Sequence, residues 1–131
     1  MAISLSAAVV QAMGAALASD IGASAVIEIR SGAKPATPET AASGTLLVSV
    51  TISGSFTSTG GVLTAADPAS ASPAASGTAG YFRIKTSGGT AKLDGTVTAT
   101  GGGGDMQLGS TTITTGVPVD LGVPTITVPV A

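Results

Sequence analysis

Residues 81–97 read Tyr-Phe-Arg-Ile-Lys-Thr-Ser-Gly-Gly-Thr-Ala-Lys-Leu-Asp-Gly-Thr-Val, and they contain the clearest β-hairpin pattern of the chain. Two runs of alternating apolar and polar side chains flank Gly88-Gly89, a pair that suits a two-residue hairpin turn because glycine tolerates positive φ. With that turn, one face of the hairpin is apolar and the other is charged, and a one-residue slip would mix the faces. The predicted cross-strand pairs are Phe82–Gly95, Arg83–Asp94, Ile84–Leu93 and Lys85–Lys92.

The same alternation of side chains predicts further strands on both sides of the hairpin. Proline in or beside the C-terminal pieces places them at edges or strand ends, because proline cannot donate to a ladder. We therefore expect a mainly β fold, a small antiparallel, jelly-roll-like β-sandwich with one N-terminal helix. Strands are predicted at 25–30, 45–53 and 60–64, shorter β-rich pieces at 106–108, 111–114, 117–121 and 125–130, and exposed loops at 31–43 and 65–77.

One helix is predicted, over residues 4–19, with Ser4 or Ser6 as its N-cap and Gly22 at its end. No positive charge precedes Asp20 and the apolar run is Ala-rich and interrupted, so we expect neither a signal peptide nor a membrane span. The domain division is a helical arm at 1–22 and a β-sandwich at 23–131. Three- and four-residue spacing gives the helix an apolar stripe, which packs on its own sheet or docks onto a neighbouring subunit: Leu5, Val9, Ala12, Met13, Ala16 and Leu17.

The composition argues against an enzyme or a metal site. The 131 residues include no His, Cys or Trp, and only 9% are charged. His and Cys are the usual general base, nucleophile and metal ligands, and the seven carboxylates are not spaced as a calcium loop or a glycosidase pair. The net charge of −2 gives no attraction to nucleic acid. We therefore expect no catalytic residues, no cofactor, no bound metal, and no nucleic-acid or membrane partner.

Short phrases of the sequence stand at Ile29–Ala36, Ala41–Leu47, Gly80–Ile84, Leu93–Val97 and Asp105–Leu108, with Ile113 and Gly116. They cover most of residues 25–130 and carry no catalytic signature. In this pattern the chain resembles a family of small structural proteins of tailed-phage virions. The resemblance implies a virion component, a head decoration or cement protein built as a small β-sandwich.

A cement protein needs exposed loops and broad, fairly uncharged contact surfaces, and this composition suits them. The expected partners are the major capsid protein and other copies of the chain, as dimers or trimers, on the outer head surface of the virion. The helix and the two loops are the candidate contacts. The interface residues predicted on them are Leu5, Val9, Met13, Leu17, Lys34, Pro35, Pro38, Glu39, Asp67, Pro68 and Pro73.

Two other functions fit the same composition. A tail- or fibre-associated β protein would look alike but assemble along an axis. A carbohydrate-binding or adhesive module would ordinarily use aromatic platforms, and the chain has one Tyr and two Phe.

Overall fold

A computed structural model describes residues 3–66, 68, 70–122 and 125–127. The predicted fold class is confirmed: the described chain is a small, mainly β sandwich with one N-terminal helix and a curled, half-barrel main sheet. The predicted strand at 125–130 is described only to residue 127. The elements are α1 Ala7–Ile21, β1 Val26–Ser31, β2 Leu46–Thr51, β3 Thr57–Thr59, β4 Val62–Thr64, β5 Gly77–Lys85, β6 Ala91–Ala99, β7 Met106–Leu108, β8 Thr112–Ile113 and β9 Thr125–Thr127.

The strands form two sheets with the apolar core between them. The larger has the order β2-β1-β5-β6-β7, with β8 pairing the start of β5, and the smaller has the order β3-β4-β9. Most pairs are antiparallel, whereas β7 runs parallel to β6. The core-facing residues of the main sheet alternate along its strands, as expected for one buried face. The core includes Ile27, Ile29, Val48, Val50, Phe82, Ile84, Val97, Phe56 and Leu63.

The turn of the central hairpin differs from the predicted two-residue turn. The Gly89 N–H donates to the Thr86 carbonyl at 2.9 Å, and the Thr86 N–H donates to the Thr90 carbonyl at 2.8 Å. These bonds close a three-residue loop, Ser87-Gly88-Gly89, in which Gly89 has φ +95°. Only glycine adopts that conformation readily, so its position selects the loop.

The longer loop shifts the pairing by one residue, and a β-bulge at Lys92 shifts it back. Lys85 lies opposite Ala91, so the predicted Lys85–Lys92 pair is wrong. The predicted register is confirmed from Ile84–Leu93 onward through Arg83–Asp94 and Phe82–Gly95. The bulge removes a like-charge contact, and the two lysines each reach a carboxylate elsewhere.

Helix α1 begins at Ala7, directly after Ser6, whose side chain accepts from the Val9 N–H at 3.2 Å, and it ends at Ile21 with Gly22 as its C-cap. The buried face of the helix is shifted by one residue along the sequence relative to the predicted stripe. The interpretation that the stripe packs on the chain's own sheet is wrong for Val9 and Met13, which are 45% and 41% exposed. The buried helix residues are Val10, Gly14, Ala18 and Ile21.

Close approach to the β3–β4 hairpin explains this choice of helix face. A Cβ atom at Gly14 would overlap the Ser58 side chain, so only glycine lets the helix lie this near. Gln11 adds polar contacts: its Nε2 donates to the Ser58 carbonyl at 3.0 Å, and its Oε1 accepts from the Gly60 N–H at 2.6 Å. The helix is therefore fixed to the smaller sheet by its inner face.

Side chains and backbone bonds also hold the two predicted loops. The buried Tyr81 hydroxyl donates to the Ser43 carbonyl at 2.8 Å and accepts from the Ser43 N–H at 3.0 Å. In the second loop, Ala71 and Val119 exchange two backbone bonds. The Leu47 carbonyl accepts from residues 74 and 75. Within the described part of the 65–77 loop, the expectation of exposure is wrong for Ala65 and Pro68, which are buried, whereas Ala74 is exposed although its N–H is bonded.

Candidate functional site

The outer face of helix α1 is apolar and exposed, and with Ile3 it carries three of the large hydrophobic side chains that are exposed among the described residues. Residues 3–19 contain no charged side chain. Val9 and Met13 are exposed on this face, and Ile3, just before the helix, is 57% exposed. Small alanines lie between them, so the face is smooth as well as uncharged. Such a surface is typical of a contact region and is costly to leave in water.

A groove runs beside this helix, between α1, β6 and β9. It has a volume of about 630 Å³. Its apolar wall places the exposed Met13 next to partly buried side chains from both sheets. The apolar lining residues are Met13, Leu17, Phe82, Leu93 and Ile126, and Asp94, Gly95, Asp105, Thr125 and Thr127 complete the lining.

A row of charges crosses the opposite face of the main sheet, because Glu28, Arg83 and Asp94 occupy facing positions on β1, β5 and β6. Arg83 Nε and Nη2 donate to the two Asp94 oxygens at 2.7 and 2.8 Å. The side chains are 5% and 2% exposed. These hydrogen bonds raise the pKa of Arg83, outweighing the opposing effect of burial. Arg83 is therefore a permanent cation held by its neighbours.

The remaining charges near this row are also paired. Glu28 accepts from Arg30 at 3.1 Å and from Lys85 at 3.3 Å. Lys92, displaced by the bulge, lies 3.0 Å from Asp20 at the end of α1 and ties the helix to β6. These groups satisfy one another, and we assign them to the fold rather than to chemistry on a substrate.

The structure separates the predicted interface residues into accessible and enclosed ones. On the helix, Val9 and Met13 are exposed, and Leu5 and Leu17 are half-buried. In the loops, Lys34 and Glu39 are exposed and Pro38 and Pro73 are half-buried. The side chains enclosed by the chain itself, and so removed from the accessible surface, are Pro35 and Pro68, whereas Asp67 lies outside the described residues.

The structure brings Met13 and Leu17 together in the groove, and the predicted loop residues that it describes do not line that groove. Sequence reasoning missed the groove, including the parts contributed by Phe82, Leu93 and Ile126. The alternation of Leu93 and Ile126 was visible, but only the curl of the main sheet shows that they face one space.

The described residues offer no metal-binding cluster. Within residues 3–66, 68, 70–122 and 125–127, no three His, Cys, Asp or Glu side chains come close enough to hold an ion. Helix α1, the helix of that same part of the chain, is too short to cross a membrane.

Comparisons with protein-family models, with curated proteins and with solved structures found no match to this chain.

Proposed function

We propose that this chain is a non-enzymatic structural protein of a phage virion, a head decoration or cement protein that binds the outer capsid surface and bridges major capsid subunits. The observation that carries the proposal is the division of helix α1 into two faces. Its inner face is fixed by Gly14 and Gln11 to the smaller sheet. Its outer face displays Val9 and Met13, within a stretch of sequence, 3–19, that has no charged residue.

A fixed helix with an apolar outer face suits a cementing role for a physical reason. The helix is 15 residues long, so its face is about 22 Å long and buries less area than a stable isolated dimer needs. A repeating capsid surface compensates for the small contact area of each copy, because copies that are linked to each other bind with a high effective concentration. Self-association as dimers or trimers belongs to the same proposal.

The test of location is an electron cryomicroscopy map of the particle. Density for the chain on the outer head surface, bridging capsid subunits, is the expected result. Density along the tail would replace the proposal with the tail- or fibre-associated alternative. If no particle contains the chain, both the head and the tail locations are rejected and the adhesive module is favoured.

The test of the helix face uses capsids that lack the chain and are then incubated with purified variants. Val9→Glu places a charge on the outer face without touching the inner one, and should weaken capsid binding about tenfold because the carboxylate must be desolvated. Thr51→Glu, an exposed change on β2, is the matched control. Equal binding by both variants would exclude the helix face from the contact.

A further inference from the structure

Among the residues that the structure describes, part of strand β6 has an edge with no strand paired to it. Along Ala91–Thr96 it pairs with β5, and β7 covers the other side only at Val97–Ala99. The Thr96 N–H donates to Asp105 Oδ2 at 3.0 Å, so it points away from β5. Backbone groups alternate along an antiparallel strand, which places the N–H and C=O of Asp94 on the same open side.

Exposure supports this orientation of Asp94. The residue as a whole is half-buried, yet its side chain is 2% exposed and bonded to Arg83. The exposed surface of Asp94 is therefore largely main chain. Outward backbone groups on a strand edge are a template for another strand.

This open edge lies in the groove beside α1. Asp94 and Gly95 form part of the groove lining, with Met13 and Leu17 of the helix on one side and Thr125–Thr127 of β9 on the other. Among the described strands, β9 pairs only with β4. The groove thus has two strand edges and an apolar wall. The stretch Ala91–Thr96 corresponds to about 20 Å of extended chain.

We propose that this groove receives an extended segment of the partner protein, which adds a strand to the edge of β6. This inference rests on the proposed function in one respect: if that function holds, the partner is a capsid subunit. Main-chain bonds to Asp94 would give affinity, and the apolar wall would accept every second side chain. Because main-chain pairing supplies the affinity, the contact needs less area than a dimer interface.

Charge decides the chemistry of the segment. Of the described residues lining the groove, Asp105 is the charged one without an ion-pair partner, since Asp94 is paired with Arg83. The segment should therefore alternate apolar and β-branched residues and carry one Lys or Arg beside Asp105. A second copy fits less well, because the chain is itself acidic, with a net charge of −2, and a whole sandwich cannot enter beside the helix.

The experiment is a selection of random octapeptides from an mRNA-displayed library on the full chain. Enriched peptides should show the alternating pattern with one basic residue. The Asp94 amide should exchange rapidly with solvent in the free chain and become protected by the selected peptide. Fast exchange in the free chain also shows that neither the chain itself nor a second copy already covers the edge of β6. Coverage by a second copy would appear as protection of the Asp94 amide that increases with protein concentration.

Variants of the full chain locate the peptide. Met13→Glu should weaken it about tenfold by charging the groove wall, whereas Val9→Glu, equally exposed but outside the groove, should change affinity less than about twofold. Asp105→Asn keeps an oxygen for Thr96 and should reduce only the preference for a basic residue. Circular dichroism confirms that each variant is folded.

Three results would overturn the proposal: no enrichment over a selection on Met13→Glu, equal binding to that variant and to Val9→Glu, or a protected Asp94 amide in the free chain. Because Val9→Glu tests capsid docking and leaves the groove unchanged, failure of the strand-addition inference is distinguishable from failure of the capsid function.

Discussion

Asp94→Asn removes the charge that compensates the most enclosed cation of this protein. Arg83 lies in the middle of the main sheet, and its guanidinium makes two bonds to Asp94 at 2.7 and 2.8 Å. An asparagine keeps the size of the side chain and one acceptor oxygen, so the substitution tests charge rather than packing. Glu28, opposite Arg83 on β1, remains as partial compensation.

The free energy of unfolding should fall by about 3 kcal/mol, the lower end of the cost of breaking a buried ion pair, because Glu28 stays nearby. For a chain of this size the melting temperature should then fall by about 10 °C. The raised pKa of Arg83 is no source of pH dependence near neutrality. Because the pKa of Arg83 is raised in the fold, its contribution to stability is fully present at every pH below the ordinary arginine pKa and is lost only as the pH rises above that value.

Urea unfolding followed by circular dichroism, and by fluorescence of the single tyrosine, Tyr81, gives the free energy. Glu39→Gln is the control, since Glu39 is exposed and the change should cost less than about 0.5 kcal/mol. The double variant Arg83→Met with Asp94→Leu should recover most of the loss, because paired apolar replacements avoid an isolated charge. A loss below about 1 kcal/mol for Asp94→Asn would refute the reasoning.

Three further substitutions test how the helix and a loop are held. Gly14→Ala should lower the free energy of unfolding in urea by about 2 kcal/mol, because the added methyl group overlaps the Ser58 side chain. Ser58→Ala removes a buried hydroxyl that has no partner in the described chain, so it should be stabilising and should recover part of the loss in the double variant. Additive effects of the two substitutions would contradict the contact. Gln11→Ala should cost about 1 kcal/mol and speed amide exchange in the β3–β4 turn, an effect that the exposed Ser19→Ala should lack. Tyr81→Phe should cost about 1–2 kcal/mol and speed exchange in the loop bonded to it, and unchanged exchange there would show that other contacts hold the loop.

The hairpin shows how far the sequence alone could predict this fold. Two-faced alternation identified the pairs from Phe82–Gly95 to Ile84–Leu93 because one face must be buried. It did not identify the loop length, since Ser87-Gly88-Gly89 supports either a two- or a three-residue turn. A bulge at Lys92 makes both turns compatible with the same register farther along, so the pattern contains no signal that separates them.

The helix face was unpredictable for a different reason. Nearly every residue from Ala7 to Leu17 is small or apolar, so several stripes satisfy the helical period. The buried stripe is chosen by steric fit, where Gly14 permits contact with Ser58. A glycine inside a helix costs about 1 kcal/mol relative to alanine, and that cost was the available sign of close packing.

The groove follows from the arrangement of whole strands rather than from any local motif. Curling of the main sheet carries the edge of β6 toward α1, while β7 covers only three residues of that edge. Open edges are usually protected by charge, proline or a covering segment. Here the carboxylate of Asp94 binds Arg83 on the opposite face of the sheet, so the main chain of Asp94 faces the groove. The ion pair that stabilises the sheet thereby also keeps a charged side chain out of the space where another strand can pair.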